Sequence, residues 1–86
     1  MTRINHPGWP KSAAALWELA VERAAAWRDA HSTGDRRKLQ SARNRFWNVV
    51  AGWGDERITH TLLTAWPDAP DDVRAQAVYR RRNREG

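Results

Sequence analysis

"GDRRKLQSARNRFWNVVAGWG", residues 34–54, decides how this chain is read. Residues 36–51 contain neither glycine nor proline, and the apolar side chains Leu39, Ala42, Phe46, Val49 and Val50 recur at helical spacing, with Trp53 continuing the stripe. That periodicity belongs to an amphipathic helix and not to a strand. A helix is therefore expected over about residues 36–52. Asp35 stands where an N-cap oxygen is needed, and Gly52 and Gly54 end the helix, one of them as its C-cap.

Working outward, the preceding segment reads as a helix over about residues 12–31. Its alanine content suits a helix, and Ser12 is its candidate N-cap. Leu16, Ala20, Ala24 and Trp27 form one stripe, with Trp17 beside it, while Glu18, Glu22 and Asp29 fall on the opposite face. "STGD" then makes a short connection, which implies an antiparallel hairpin of helices 1 and 2. After "GWG", Asp55 is the candidate cap of a third helix over about residues 56–66, with Ile58, Leu62, Leu63 and Trp66 inward. "WPDAPDD" breaks the chain. Asp68 and Asp71 have the spacing of a capping pair, and Pro70 suits the first turn of a fourth helix over about residues 69–81. Val73 and Ala77 form its inner stripe. Residues 1–11 read as an N-terminal arm and residues 80–86 as a basic tail. No stretch alternates in the strand manner. The expected fold is one all-α domain over residues 1–86, a three-to-four-helix bundle.

The 86 residues carry a formal charge of +5 and six tryptophans, without a cysteine. A chain this short buries only about 60–65% of its unfolded surface, so its stability depends on a dense core. Disulfides and cysteine-ligated zinc are excluded. No apolar run approaches the roughly 20 residues that span a bilayer, and the N-terminus lacks the apolar core of a secretory signal. A cytoplasmic protein fits these features. A basic amphipathic helix can also lie on anionic lipid, but the apolar stripe of helix 2 is needed for the bundle, so no membrane partner is expected.

The charge falls in blocks. Residues 1–35 balance, residues 36–52 hold five cations and no acid, residues 53–72 sum to −4, and residues 73–86 sum to +4. The cations of helix 2 are Arg36, Arg37, Lys38, Arg43 and Arg45; those of the tail are Arg80, Arg81, Arg82 and Arg84. Such clustering suggests a polyanionic partner. The alternative is that oppositely charged helices pair internally. Arg36, Arg37 and Lys38 occupy a first turn, where the helix dipole favours acids. Glu22 or Asp29 of helix 1, or a bound anion at the helix N-terminus, would offset that.

Trp47 lies about 100° from the Phe46 stripe, so its own helix does not explain its burial. Arg43, four residues earlier, can place its guanidinium over the indole. Either helix 4 or the N-terminal arm covers Trp47, or it stands in the basic surface and stacks on a base.

The inventory for catalysis is poor. His6, His31 and His60 belong to no HExxH or related pattern, "GWG" lacks the spacing and lysine of a phosphate loop, and no cofactor is implied. Helices 3 and 4 raise a helix-turn-helix reading, with Arg74, Gln76, Arg80, Arg81 and Arg82 as types that can reach bases or phosphates. However, Asp68, Asp71 and Asp72 place carboxylates at the end that a recognition helix presents to DNA. The expectation is a non-enzymatic binding module. It would contact nucleic acid, mostly through phosphates, by Arg36, Arg37, Lys38, Arg43, Arg45, Arg80, Arg81, Arg82 and Arg84, with Trp47 as a stacking residue. The alternative is an adaptor or inhibitor that meets an acidic protein through the same face, a homodimer being one form of it. Small helical proteins of bacteria and their phages are of this type, and the composition suits a high-GC source.

Overall fold

The computed structural model describes the backbone of residues 12–85 and the side chains of residues 12–79. The arm expected over residues 1–11, with Trp9, lies outside the described residues. Four helices follow in order: α1 (Ala13–Thr33), α2 (Arg36–Val50), α3 (Asp55–Ala65) and α4 (Asp71–Glu85). No strand occurs among the described residues. α1 packs against both α2 and α3, and α4 packs against α3 and α2.

Local chemistry sets the helix starts. The Ser12 hydroxyl accepts from the Ala15 amide at 3.1 Å. The Asp35 carboxylate accepts from the amides of Arg37 and Lys38 at 3.0 and 3.2 Å. Each bond satisfies an amide that the first turn leaves without a helical partner. Gly34 ends α1 with φ of +76°, a left-handed conformation that costs a residue with a Cβ about 1–2 kcal/mol.

Several boundaries differ from the sequence reading. α2 ends at Val50, two residues early. There the Trp53 amide returns to the Val50 carbonyl at 2.9 Å, and Gly52 turns the chain with φ of +89°. α3 starts at Asp55, and Gly54 takes the N-cap position without a side-chain cap bond. Asp55 and Glu56 then lie in the first turn, where carboxylates complement the helix dipole. α4 begins at Asp71 and not near residue 69. Its first backbone bond runs from the Arg74 amide to the Pro70 carbonyl at 3.0 Å, and Asp68 makes no capping bond. α4 also continues to Glu85, past the end expected near residue 81. No glycine or proline interrupts residues 71–85, and cations in the last turn favour the negative end of the helix dipole.

The core is a single cluster at the meeting of all four helices. Ala20, Ala24 and Trp27 come from α1, Phe46, Val49 and Val50 from α2, Ile58 and Leu62 from α3, and Val73 and Ala77 from α4. The two alanines are fully buried, and their small size lets neighbouring helices approach closely. Trp27 is the centre: its ring lies 5.6 Å from Phe46 and meets Trp66 edge-on at 6.2 Å. Such aromatic pairs contribute about 0.5–1.5 kcal/mol beyond the area they bury. Thr61 is fully buried, and its hydroxyl donates to the Arg57 carbonyl at 2.7 Å, so it carries no unmet polar group. Arg28 of α1 donates to the Ala65 carbonyl at 2.7 Å and so supplies a cation to the last turn of α3.

Candidate functional site

Two helical stripes face each other across the outer edge of the α1–α2 interface. On α1 the stripe runs Arg23, Ala26, Ala30, Thr33, with Asp29 beside it; on α2 it runs Arg37 and Lys38, Ser41 and Ala42, then Arg45. These spacings of three and four keep each set on one helix face. Together they line an open groove of about 600 Å³. The floor is short because alanine and serine dominate it. The walls are long because four of the lining residues are arginine or lysine.

The charge balance is uneven: Arg23, Arg37, Lys38 and Arg45 face one carboxylate, Asp29. That carboxylate already lies 3.2 Å from the Arg28 guanidinium, outside the groove lining. The four cations make no ion pair among the described residues. Arg37, Lys38 and Arg45 are exposed and Arg23 is half-buried. Like charges gathered on one concavity repel one another, and an anion in the groove relieves that repulsion.

The site residues expected from sequence separate into three groups. Arg37, Lys38 and Arg45 line the groove, and Arg36 is exposed just outside it. Arg43 and Trp47 turn to a different neighbour, α4. The Arg43 guanidinium donates to the Gln76 side-chain oxygen at 2.8 Å and lies 4.8 Å over the Trp47 ring. The Trp47 indole N–H donates to the Gln76 main-chain carbonyl at 3.0 Å. Arg43 Nε is buried without an acceptor. Of the two readings of Trp47, the geometry matches cover by helix 4, and the half-buried indole packs against the core cluster. The third group is Arg80, Arg81, Arg82 and Arg84. Their backbone belongs to the last turns of α4, and their side chains lie outside the described residues.

Two further expectations are corrected. The amides at the start of α2 were candidates for anion binding, but Asp35 takes those of Arg37 and Lys38. The same carboxylate places a negative charge beside three first-turn cations, so pairing with Glu22 or Asp29 is not needed to offset them. Of the base-reading types on α4, Arg74 and Gln76 are engaged within the chain. Arg74 pairs with Asp71, and Gln76 holds Arg43 and Trp47.

Arg23 was missed from sequence because it lies in the charge-balanced first block. The signal was present: Arg23, Ala26, Ala30 and Thr33 share a stripe adjacent to the buried one. Both histidines among the described residues meet tryptophans, His31 with Trp66 at 5.1 Å and His60 with Trp17 at 6.4 Å. No helix among the described residues is long and apolar enough to cross a membrane. Compared with models of known families, with curated proteins and with solved structures, the chain matches none.

Proposed function

We propose that the protein is a non-enzymatic cytoplasmic binding module that contacts nucleic acid through its phosphates. The observation that carries this reading is the α1–α2 groove, where four cations face one carboxylate. Phosphate neutralisation supplies most of the affinity of sequence-independent nucleic-acid binding, and it needs only this kind of charge density. The arginines Arg80, Arg81, Arg82 and Arg84 add a second basic segment at the end of α4. The short Gly34–Asp35 connection and the extensive packing of α1 on α2 support an antiparallel hairpin as the frame of the groove.

The test is fluorescence anisotropy with labelled DNA and RNA over a range of salt. Replacing Arg37, Lys38 and Arg45 by Gln should weaken binding on unrelated sequences alike. It should also flatten the slope of log affinity against log salt by roughly two to three. Absence of salt-sensitive binding to either nucleic acid would remove this reading. The second reading, an acidic protein partner, would take its place. Its support is the alanine floor of the groove, which suits side chains projecting from a partner helix.

A further inference from the structure

We infer that the α1–α2 groove takes the backbone of a single nucleic-acid strand, with Arg23 as a ligand-binding residue on the wall opposite Arg37, Lys38 and Arg45. This rests on the nucleic-acid reading and narrows it. Length comes first. Arg37 and Arg45 stand eight residues apart on α2, about 12 Å of helix rise. Successive phosphates along a strand's backbone stand roughly twice the 3.4 Å duplex rise apart, so about three span that length. Width comes second. The two walls rise from packed helices whose axes stand about 8–10 Å apart, so cations from both can reach one backbone.

Depth and charge agree. Ala26, Ala30, Ser41 and Ala42 form a recessed floor, and cations rise from both walls. A phosphate in the groove is met from two sides, by Arg23 from α1 and by the α2 cations from the other. The Ser41 hydroxyl, exposed and without a hydrogen-bond partner among the described residues, stands between Arg37 and Arg45 as a neutral donor. A duplex laid across the groove brings its further strand over the outer flank of α1, where Glu18 and Glu22 are exposed. Those carboxylates repel it. Among the described residues no aromatic side chain lines the groove, so they offer the bases no stacking platform there and the bases point outward. Recognition is therefore of backbone and tolerant of sequence, in contrast to strand-binding proteins that stack bases on aromatics.

The experiment compares a fluorescein-labelled oligothymidylate with a blunt duplex of equal length, by anisotropy over a range of salt. The strand should bind more tightly than the duplex. Three phosphates neutralised on a single strand give a slope of about −2.1. Arg23→Gln should flatten it by about 0.7, a loss of about fivefold at 0.1 M salt if the two proteins converge at 1 M. Ser41→Phe fills the floor without changing charge and should weaken strand binding several-fold. Circular dichroism melting checks that both variants fold; Ala26→Met, also at an exposed floor position, replaces Ser41→Phe if that variant does not. Suppose the duplex binds as tightly as the strand, or Arg23→Gln and the floor variant bind like wild type, while the Arg37, Lys38 and Arg45 Gln variant is weakened. The strand groove is then overturned and the broader nucleic-acid reading stands. No salt-sensitive binding to either probe overturns both.

Discussion

Replacing Trp47 by Phe separates its two readings. The variant keeps an aromatic ring in the seam between α2 and α4 but loses the N–H that donates to the Gln76 carbonyl at 3.0 Å. A neutral hydrogen bond of this kind contributes about 0.5–1.5 kcal/mol net. Gln76 lies inside α4, so its carbonyl also accepts within the helix ladder and is not left orphaned. The hydrogen-bond loss therefore falls at the low end of that range. Phe is also a weaker platform than Trp for the Arg43 guanidinium, an interaction of about 0.5–1 kcal/mol at such sites. With the smaller ring packing less of the seam, the total is about 1–2 kcal/mol. A small protein loses about 1 kcal/mol per molar urea at the low end of observed slopes, so the midpoint should fall by about 1–2 M. The assay is urea unfolding followed by circular dichroism, with oligothymidylate anisotropy measured on the folded protein in parallel. The expected outcome is a lower midpoint, an unchanged slope and unchanged binding. An unchanged midpoint with weakened binding would refute the reasoning and return Trp47 to the contact surface. Arg43→Met, alone and combined with Trp47→Phe, completes a cycle whose coupling energy isolates the pair.

Phe46→Ala should cost about 3–5 kcal/mol, because the ring is fully buried against Trp27; a wild-type melting temperature would remove Phe46 from the core. Asp35→Ala should cost about 1–2 kcal/mol, near the upper end for a cap, since two amides lose their acceptor beside three cations. Urea unfolding reads that directly, and a cost near zero would deny the cap its role. Replacing Arg80, Arg81, Arg82 and Arg84 together by Gln should leave melting nearly unchanged. It should flatten the duplex salt slope by roughly 0.9 for each phosphate that is no longer neutralised. A large fall in melting temperature would assign these arginines to structure.

What sequence made legible was whatever short-range chemistry decides. Ser12 and Asp35 cap the helices they were expected to cap, and the buried stripes of Ala20, Ala24 and Trp27 and of Phe46, Val49 and Val50 follow from helical period. The start of α3 moved because two neighbouring residues, Gly54 and Asp55, competed for one role. Trp47 was ambiguous because its hydrogen-bond partner is 29 residues away on α4, beyond any local pattern. Arg23 was overlooked because a groove belongs to two helices, and charge counted along the chain dilutes a cation among nearby acids. Arg37, Lys38 and Arg45 were visible because their helix carries no acid to mask them.

The edge-on meeting of Trp27 and Trp66 gives the folded chain an optical marker of its own. Trp27 sits in the middle of α1 and Trp66 just past the end of α3, so the two indoles come within 6.2 Å only when those helices are docked. Indoles held at a fixed mutual angle produce near-ultraviolet circular dichroism, which collapses when packing loosens even while helices persist. A refolding trace at those wavelengths, set beside one in the amide region, will time the closure of α1 on α3 apart from the winding of either helix.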